Sequence, residues 1–159
     1  MSARGYILDL VTQERHVFQF NPAELVMKLG ANYSAKSPHG SSHPRRQFTS
    51  SKGRAFSMEL MFIREQLNAE DIVEWGRVFE SLPFPDYDSD GRLLRGPHVL
   101  RVAFGPWRPL RCVVEEVEVK YGPWFDPETL KPGGLTVTLG FVETPVDGDL
   151  SHADVRGGQ

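Results

Sequence analysis

Residues 86–91 read DYDSDG, with acids at alternate positions and a glycine sixth. A calcium loop begins this way, because alternate carboxylates can converge on one hard cation and the glycine allows the sharp turn. The pattern then stops. Pro97 stands where the closing glutamate belongs, and no helical pattern runs directly into the loop. A solvated turn explains the run better than calcium. His39 and His43 lie four apart, but in a stretch with no helical period and no nearby Cys, Asp or Glu. Zinc needs converging ligands at fixed geometry, so the pair does not read as a metal site. His16 and His98 fall in strand-like runs and read as structural. Ser41 and Ser42 lack the G-x-S-x-G setting of an activated serine, and no glycine-rich phosphate loop of Walker or Rossmann spacing occurs. Glu116 and Glu118 share the polar face of one strand-like run, and with Glu115 they read as a solvated or interface face rather than as paired catalytic carboxylates. Cys112 is the single cysteine, which excludes an internal disulfide. It reads as a small buried hydrophobe. The residues give no catalytic, cofactor or metal set.

The elements that carry these side chains are mostly strands. Residues 98–104 read HVLRVAF, 110–121 read LRCVVEEVEVKY and 135–143 read LTVTLGFVE, with Gly105-Pro106 and Gly133-Gly134 between them. Alternate side chains of a strand point to opposite sheet faces, so alternation implies one buried and one wet face. In the middle run the alternation puts Val113, Glu115, Val117 and Val119 on one face and Val114, Glu116, Glu118 and Lys120 on the other. In the last run Leu135, Val137, Leu139 and Phe141 form the apolar face. These three runs predict an antiparallel meander. Residues 6–10 and 16–20 predict an opening hairpin ended by Asn21-Pro22, since proline has no N–H for a ladder. Residues 26–33 read as extended. Residues 55–63, AFSMELMFI, predict a strand with Phe56, Met58, Leu60 and Phe62 on one side. A helix follows, capped by Asn68, with Glu70 and Asp71 in the first turn and Ile72, Trp75, Val78, Phe79 and Leu82 as its apolar stripe. Pro83 and Pro85 end it. Phe56, Leu60, Trp75, Val78, Phe79, Val102, Val117 and Leu139 are the predicted core. Residues 83–97 and 122–134 read as loops.

Residues 34–54, SAKSPHGSSHPRRQFTSSKGR, differ from the rest. They are rich in Ser, Pro and Gly and carry Lys36, Arg45, Arg46, Lys52 and Arg54 with no acid. Such a composition buries too little apolar surface to offset its ordering entropy, which predicts a long basic loop with at most a short strand near residues 47–49. Loops of this length are functional or disordered, and this one could order against another subunit, with Arg45 and Arg46 meeting acidic groups there. The acidic DYDSDG and VEEVEV runs supply such groups on the same chain, which fits head-to-tail self-assembly.

The chain has 159 residues, 40% hydrophobic and 25% charged, which predicts one globular domain over residues 1–145. Residues 146–159 read as a flexible tail. Lys and Arg number 18 against 21 Asp and Glu, giving −3. That leaves no broad basic field, so nucleic acid is not a favoured partner. The N-terminus lacks the apolar run of a signal peptide, and no stretch reaches the length of a membrane span. Folding in a cytoplasm is expected.

In order, Phe20-Asn21-Pro22 after an opening hairpin, a polar segment, the SMELMFI strand, one short helix, PHVLRVAFGPW, CVVEEVEVK and Phe125-Asp126-Pro127 before a closing strand resemble the tube-like domain of contractile injection system and phage tail proteins. The likeness is strongest to the adaptor joining tail tube to baseplate hub, and it covers about residues 5–145. It implies a mainly β fold: a small antiparallel β-barrel or sandwich of the tail-tube type with one flanking α-helix. It also implies a non-enzymatic structural role in a virion or injection particle, within a hexameric ring stacked between the tail tube protein and the baseplate hub or spike protein, with no cofactor. In that family a long loop near the third strand reaches a neighbouring subunit or layer. Residues 34–54 match that placement, so Lys36, Arg45, Arg46, Lys52, Arg54, Glu116 and Glu118 are the expected subunit-interface residues. Many members continue into a LysM module; the sequence to residue 159 shows none, so the anchoring job of that module is expected to be absent or supplied by another protein. A tail tube subunit proper is a second reading. A monomeric β-barrel holding a small ligand, or an enzyme with a dispersed site, is the expectation from outside the family.

Overall fold

A computed structural model describes residues 3–63, 69–106 and 109–144. The expected helix cap Asn68 and the expected tail, residues 146–159, lie outside them. The chain runs β1 (Tyr6–Asp9), β2 (Arg15–Val17), β3 (Leu25–Lys36), β4 (Arg45–Ile63), α1 (Ala69–Ser81), β5 (Asp86–Tyr87), β6 (Leu93–Arg95), β7 (Leu100–Ala103), β8 (Leu110–Tyr121) and β9 (Gly134–Glu143). Seven strands form one antiparallel sheet in the order β2-β1-β7-β8-β9-β4-β3, and β5 and β6 form a separate small hairpin. The protein is mainly β with one flanking helix, as its alternating runs predict. The sheet is not closed: β2 and β3 are its outer strands, so a sandwich describes it better than a barrel.

Core formation follows the strand periodicity. Phe56, Met58, Leu60 and Phe62 of β4 and Leu135, Val137, Leu139 and Phe141 of β9 are all buried, with Phe56 opposite Phe141 and Met58 opposite Leu139. Ile7 of β1, Phe18, Leu100 and Val102 of β7 and Ile72 and Phe79 of α1 complete one continuous cluster. Trp75 packs at its margin, with its ring 4.8 Å from that of Phe62 and 5.8 Å from that of Phe79. Of the predicted core, Phe56, Leu60, Phe79, Val102 and Leu139 are buried and Trp75, Val78 and Val117 are half-buried. Cys112 is fully buried, and burial, helped by the nearby Glu143 charge, pushes its thiol up to about 12.

Two departures from simple alternation matter. In β8, Val114 pairs with Phe141 and Glu116 with the next residue back, Gly140, so Glu115 is an extra residue in a β-bulge. The bulge exchanges the faces along the strand. Leu110, Cys112 and Val114 point inward before it, and Val117, Val119 and Tyr121 after it. The sequence pattern therefore misassigned Val113, Glu115 and Val114. The second departure is the segment 34–54. It is not a loop: β3 and β4 run as a paired hairpin from Leu25↔Met58 out to Lys36↔Arg45, and only residues 37–44 connect them. Backbone pairing supplies the hydrogen bonds that the polar composition had seemed to leave to water.

Candidate assembly surfaces

From residue 55 onward β4 pairs with β9, but its first half, 45–54, has β3 as its only partner among the described residues. Residues 29–36 and 45–54 are thus a two-stranded arm continuing past the sheet. At a strand rise of about 3.4 Å per residue, the eight β3 residues span roughly 27 Å. Register shifts between Lys28/Gly30 and Asn32/Tyr33 place both extra residues on β4, so β3 itself stays regular. Its faces can then be read directly. Leu25 and Met27 pack against the core, and Leu29, Ala31, Tyr33 and Ala35 continue that face into solvent. Tyr33 sits opposite Phe48, the rings 6.0 Å apart edge to face and each more than half exposed. The other face carries Lys28, Asn32, Ser34 and Lys36. Gly30 lies opposite Lys52, and a Cβ there would come within 3.1 Å of the Lys52 stem, which lies across it.

The expected interface residues separate into four places. Lys36 and Arg45 lie directly opposite each other at the arm's tip, with Arg46 beside them opposite Ala35. Like charges facing across a strand pair repel, so the tip is a basic point without an acid of its own sheet rows to offset it. Lys52 sits near the arm's base, opposite Gly30. Arg54 is already engaged: its Nε lies 3.0 Å from Glu143 Oε2, both side chains largely buried, although the N–H is not aimed well enough for a hydrogen bond. Glu116 and Glu118 are on the exposed face of β8, separated from the arm by β9 and β4. Glu118 has Lys120 3.3 Å away. The basic and acidic sets therefore do not meet within one chain.

That stretch of β8 has a second property. Among the described residues β7 pairs with β8 only at Leu110, Arg111 and Cys112, and β8 from Val113 to Tyr121 is laddered to β9 alone. The long strands β3, β4, β9 and β8 make a block with two open edges, β3 on one side and the second half of β8 on the other. Open edges carry unpaired N–H and C=O groups and are templates for strand addition.

At the end of β3 and β4 away from the arm, Phe20, Ala23, Val26 and Met61 line a cleft of about 390 Å³ together with the exposed acids Glu24 and Glu59 and the polar Asn21, Ser57 and Thr138. Gln19 holds this end in place. Its side chain donates to Ile63 O at 3.2 Å and accepts from Ile63 N at 2.9 Å, acting as a strand partner for the last residue of β4. Asn21 likewise ties the chain to Gly5 N and Ala3 O.

The remaining polar centre was not legible as such. His98 Nδ1 lies 2.6 Å from Asp9 Oδ2 and its Nε2 2.6 Å from Asp86 Oδ2, and Arg95 reaches Asp86 at 3.4 Å. The hydrogen bonds to Asp9 and Asp86 raise the His98 pKa against the opposing effect of burial. Burial pushes the buried Asp9 carboxyl up, but bonds from His98 and from the Val11 and Thr12 N–H groups outweigh it, and the net shift is downward. The Asp9 Oδ1 that closes the β1–β2 turn is 2.8 Å from Val11 N. The cluster pins the β5–β6 hairpin to β1, a structural use of His98 as the sequence suggests. The DYDSDG run also proves to be a turn: Asp88 Oδ1 accepts from Asp90 N and Arg92 N at 3.0 and 2.8 Å. Among the described residues no group of three or more His, Cys, Asp or Glu is arranged to hold a metal.

No curated protein matches the chain. A family model described as contractile injection system tube protein matches residues 9–130, which is most of the sequence, from the β1–β2 turn through the helix and β8 into the loop before β9. The protein therefore belongs to the contractile injection system tube protein family, a family of structural tail-tube-type components.

Proposed function

We propose that this chain is a non-enzymatic ring subunit, six copies to a ring, that joins the tail tube protein to the baseplate hub or spike protein of a phage tail or injection particle assembled in the bacterial cytoplasm. The observation that carries the ring is the pair of open edges on one four-stranded block. Strand β3 of one copy lies beside the free half of β8 of the next, and each added copy presents the same two edges again. Such a heterologous contact closes when its rotation divides a full turn. Charge favours this pairing over its alternatives. Lys28 and Lys36 stand on β3, and Glu116 and Glu118 on the free half of β8. Metal, cofactor and membrane have no part in this reading, and nucleic acid enters only as channel cargo.

A tail tube subunit proper is the second reading, supported by the family match itself. A small-ligand barrel is not supported, because the sheet is open and its apolar face is filled by side chains. Arg45→Glu with Arg46→Glu is expected to lower the oligomer mass in native mass spectrometry at low protein concentration while the β circular dichroism stays unchanged. An unaltered oligomer would remove the arm tip from the interface.

A further inference from the structure

We infer that Arg101, Arg111 and Thr144 form a binding site for a phosphate dianion, free or as a phosphomonoester, on the face of the sheet turned away from α1. The site goes beyond the ring reading and does not depend on it.

Register brings the three residues together. Arg101 of β7 lies directly opposite Arg111 of β8. Directly opposed residues of an antiparallel pair share a face, with Cβ atoms about 4.5–5.5 Å apart. Leu100 and Val102 flank Arg101, and Leu110 and Cys112 flank Arg111. All four are buried, so alternation turns both arginines outward. Thr144 follows β9, and its N–H donates to Arg111 O at 2.9 Å, which carries the Cys112↔Glu143 register one step further. Its side chain therefore stands beside that of Arg111.

The charge there is uncompensated. Like charges directly opposite in a strand pair destabilise it. Among the described residues no ion pair engages either arginine. Tyr6, Ala103, Val113 and Val142, which border the row on this face, carry no charge at neutral pH. Glu143, the nearest acid in sequence, is held 3.0 Å from Arg54. Arg111 Nε and Thr144 Oγ1 are both buried, and neither has a hydrogen-bond partner among the described residues. Buried polar groups are nearly always bonded, and an unbonded group of a charged side chain is the costlier kind. Two such groups on directly opposed residues point to one shared ligand.

The donors select the ligand class. Each guanidinium offers a planar fork of N–H donors and no acceptor, and the threonine hydroxyl adds an O–H. A carboxylate is satisfied by a single fork and carries a single charge. A phosphate dianion presents a tetrahedron of oxygens and a charge that two guanidiniums match. Both forks and the hydroxyl are then used. Arg15 stands in the same cross-strand row, beyond Leu8. It lies two strand spacings, about 10 Å, from Arg101. Its guanidinium sits over the Tyr6 ring, 4.0 Å from the centroid. The site thus ends at one phosphate and does not run on as a track for a nucleic-acid backbone.

The test titrates orthophosphate, phenyl phosphate and acetate into the full chain at constant ionic strength. Heteronuclear NMR spectra of the arginine Nε–H groups report binding, and the Arg111 signal is the one lost in Arg111→Gln. A saturable shift of that signal with phosphate is expected, with acetate weaker by about tenfold or more. A shift with phenyl phosphate alone identifies an ester as the ligand, and a shift with orthophosphate alone identifies the free ion. Arg101→Gln should weaken phosphate binding by about tenfold or more, and Thr144→Val by about threefold. Arg101 is exposed, so its substitution preserves folding, which circular dichroism checks. Arg15→Gln is the control and should leave the affinity unchanged. No shift with either phosphate, equal affinity for acetate, or phosphate binding unaltered in Arg101→Gln overturns the inference. So does an equal loss in Arg15→Gln, or tighter binding of a short oligothymidylate that lacks a terminal phosphate.

Discussion

Phe62→Ala should lower the unfolding free energy by about 3–5 kcal/mol. Phe62 is fully buried, one residue from the end of β4, where the sheet meets the helix. Its ring lies 4.8 Å from that of Trp75 and 5.7 Å from that of Phe79. Truncation removes the floor on which both helix rings rest, and the stacked Trp75 cannot collapse into the gap without moving the helix axis. Residues of α1 also reach β8, where Tyr121 packs on Gly76 and donates to Glu80 at 2.8 Å, but only Phe62 stacks on Trp75 among the described sheet residues. For a domain of this size the loss corresponds to roughly 10 °C in Tm. Met61→Ala is the matched control, because Met61 is the next residue on the opposite face and half exposed. It should cost under about 1 kcal/mol. Urea unfolding of the monomeric protein checks both, and equal losses at the two positions would place the helix seat elsewhere.

Asp9→Ala should cost about 3–5 kcal/mol, because removal of one member of a buried ion pair leaves its partners unmatched. The partners here are the His98 imidazolium and the Val11 and Thr12 N–H groups. The pH dependence has a definite sign. The His98 pKa is raised, so its contribution is complete below the unfolded value of about 6.5 and is lost as pH climbs through the folded value. The Asp9 pKa is lowered, so its contribution is complete above its unfolded value of about 3.9 and is lost as pH falls through the folded one. The clamp is at full strength between about pH 4 and 6.5. The stability gap between wild type and His98→Asn should be widest near pH 5.5 and narrow by about pH 9. Denaturant titrations at the two pH values measure it, and a gap constant across them would mean that the histidine acts as a neutral hydrogen-bonding group.

Strand and helix existence were readable wherever burial was one-sided and regular. Strand β9 keeps strict alternation over its whole length, and the helix shows its stripe at Ile72, Trp75 and Phe79. The arm was misread because composition was weighed above period. Leu25, Met27, Leu29, Ala31, Tyr33 and Ala35 alternate without a break, but Ser, Gly and Arg dominate the returning strand, and two extra residues erase its period. The β5–β6 hairpin is too short to show alternation. Its anchor was hidden for a different reason: His98 and Asp9 are 89 positions apart, and no local pattern announces a contact of that span. Lys36, Arg45, Arg46, Glu116 and Glu118 were legible as charge. Their places on a free arm and a free edge were not, because edges are a property of sheet order. The cleft was missed outright. Its lining comes from residues 20–26, 57–61 and 138, which no local pattern brings together.

The extra Glu115 in β8 gives the chain an unusual tolerance. Loss of one residue from a strand normally turns its apolar set outward. Here, excision of Glu115 would leave Leu110, Cys112, Val114, Val117, Val119 and Tyr121 in unbroken alternation, all still facing in. The bulge bends and twists the strand without being needed to keep it buried. Sheet curvature at this edge is thus encoded by the presence of a single codon, separately from the composition that keeps the interior dry. A lineage could gain or lose that bend in one step without rebuilding what lies beneath it.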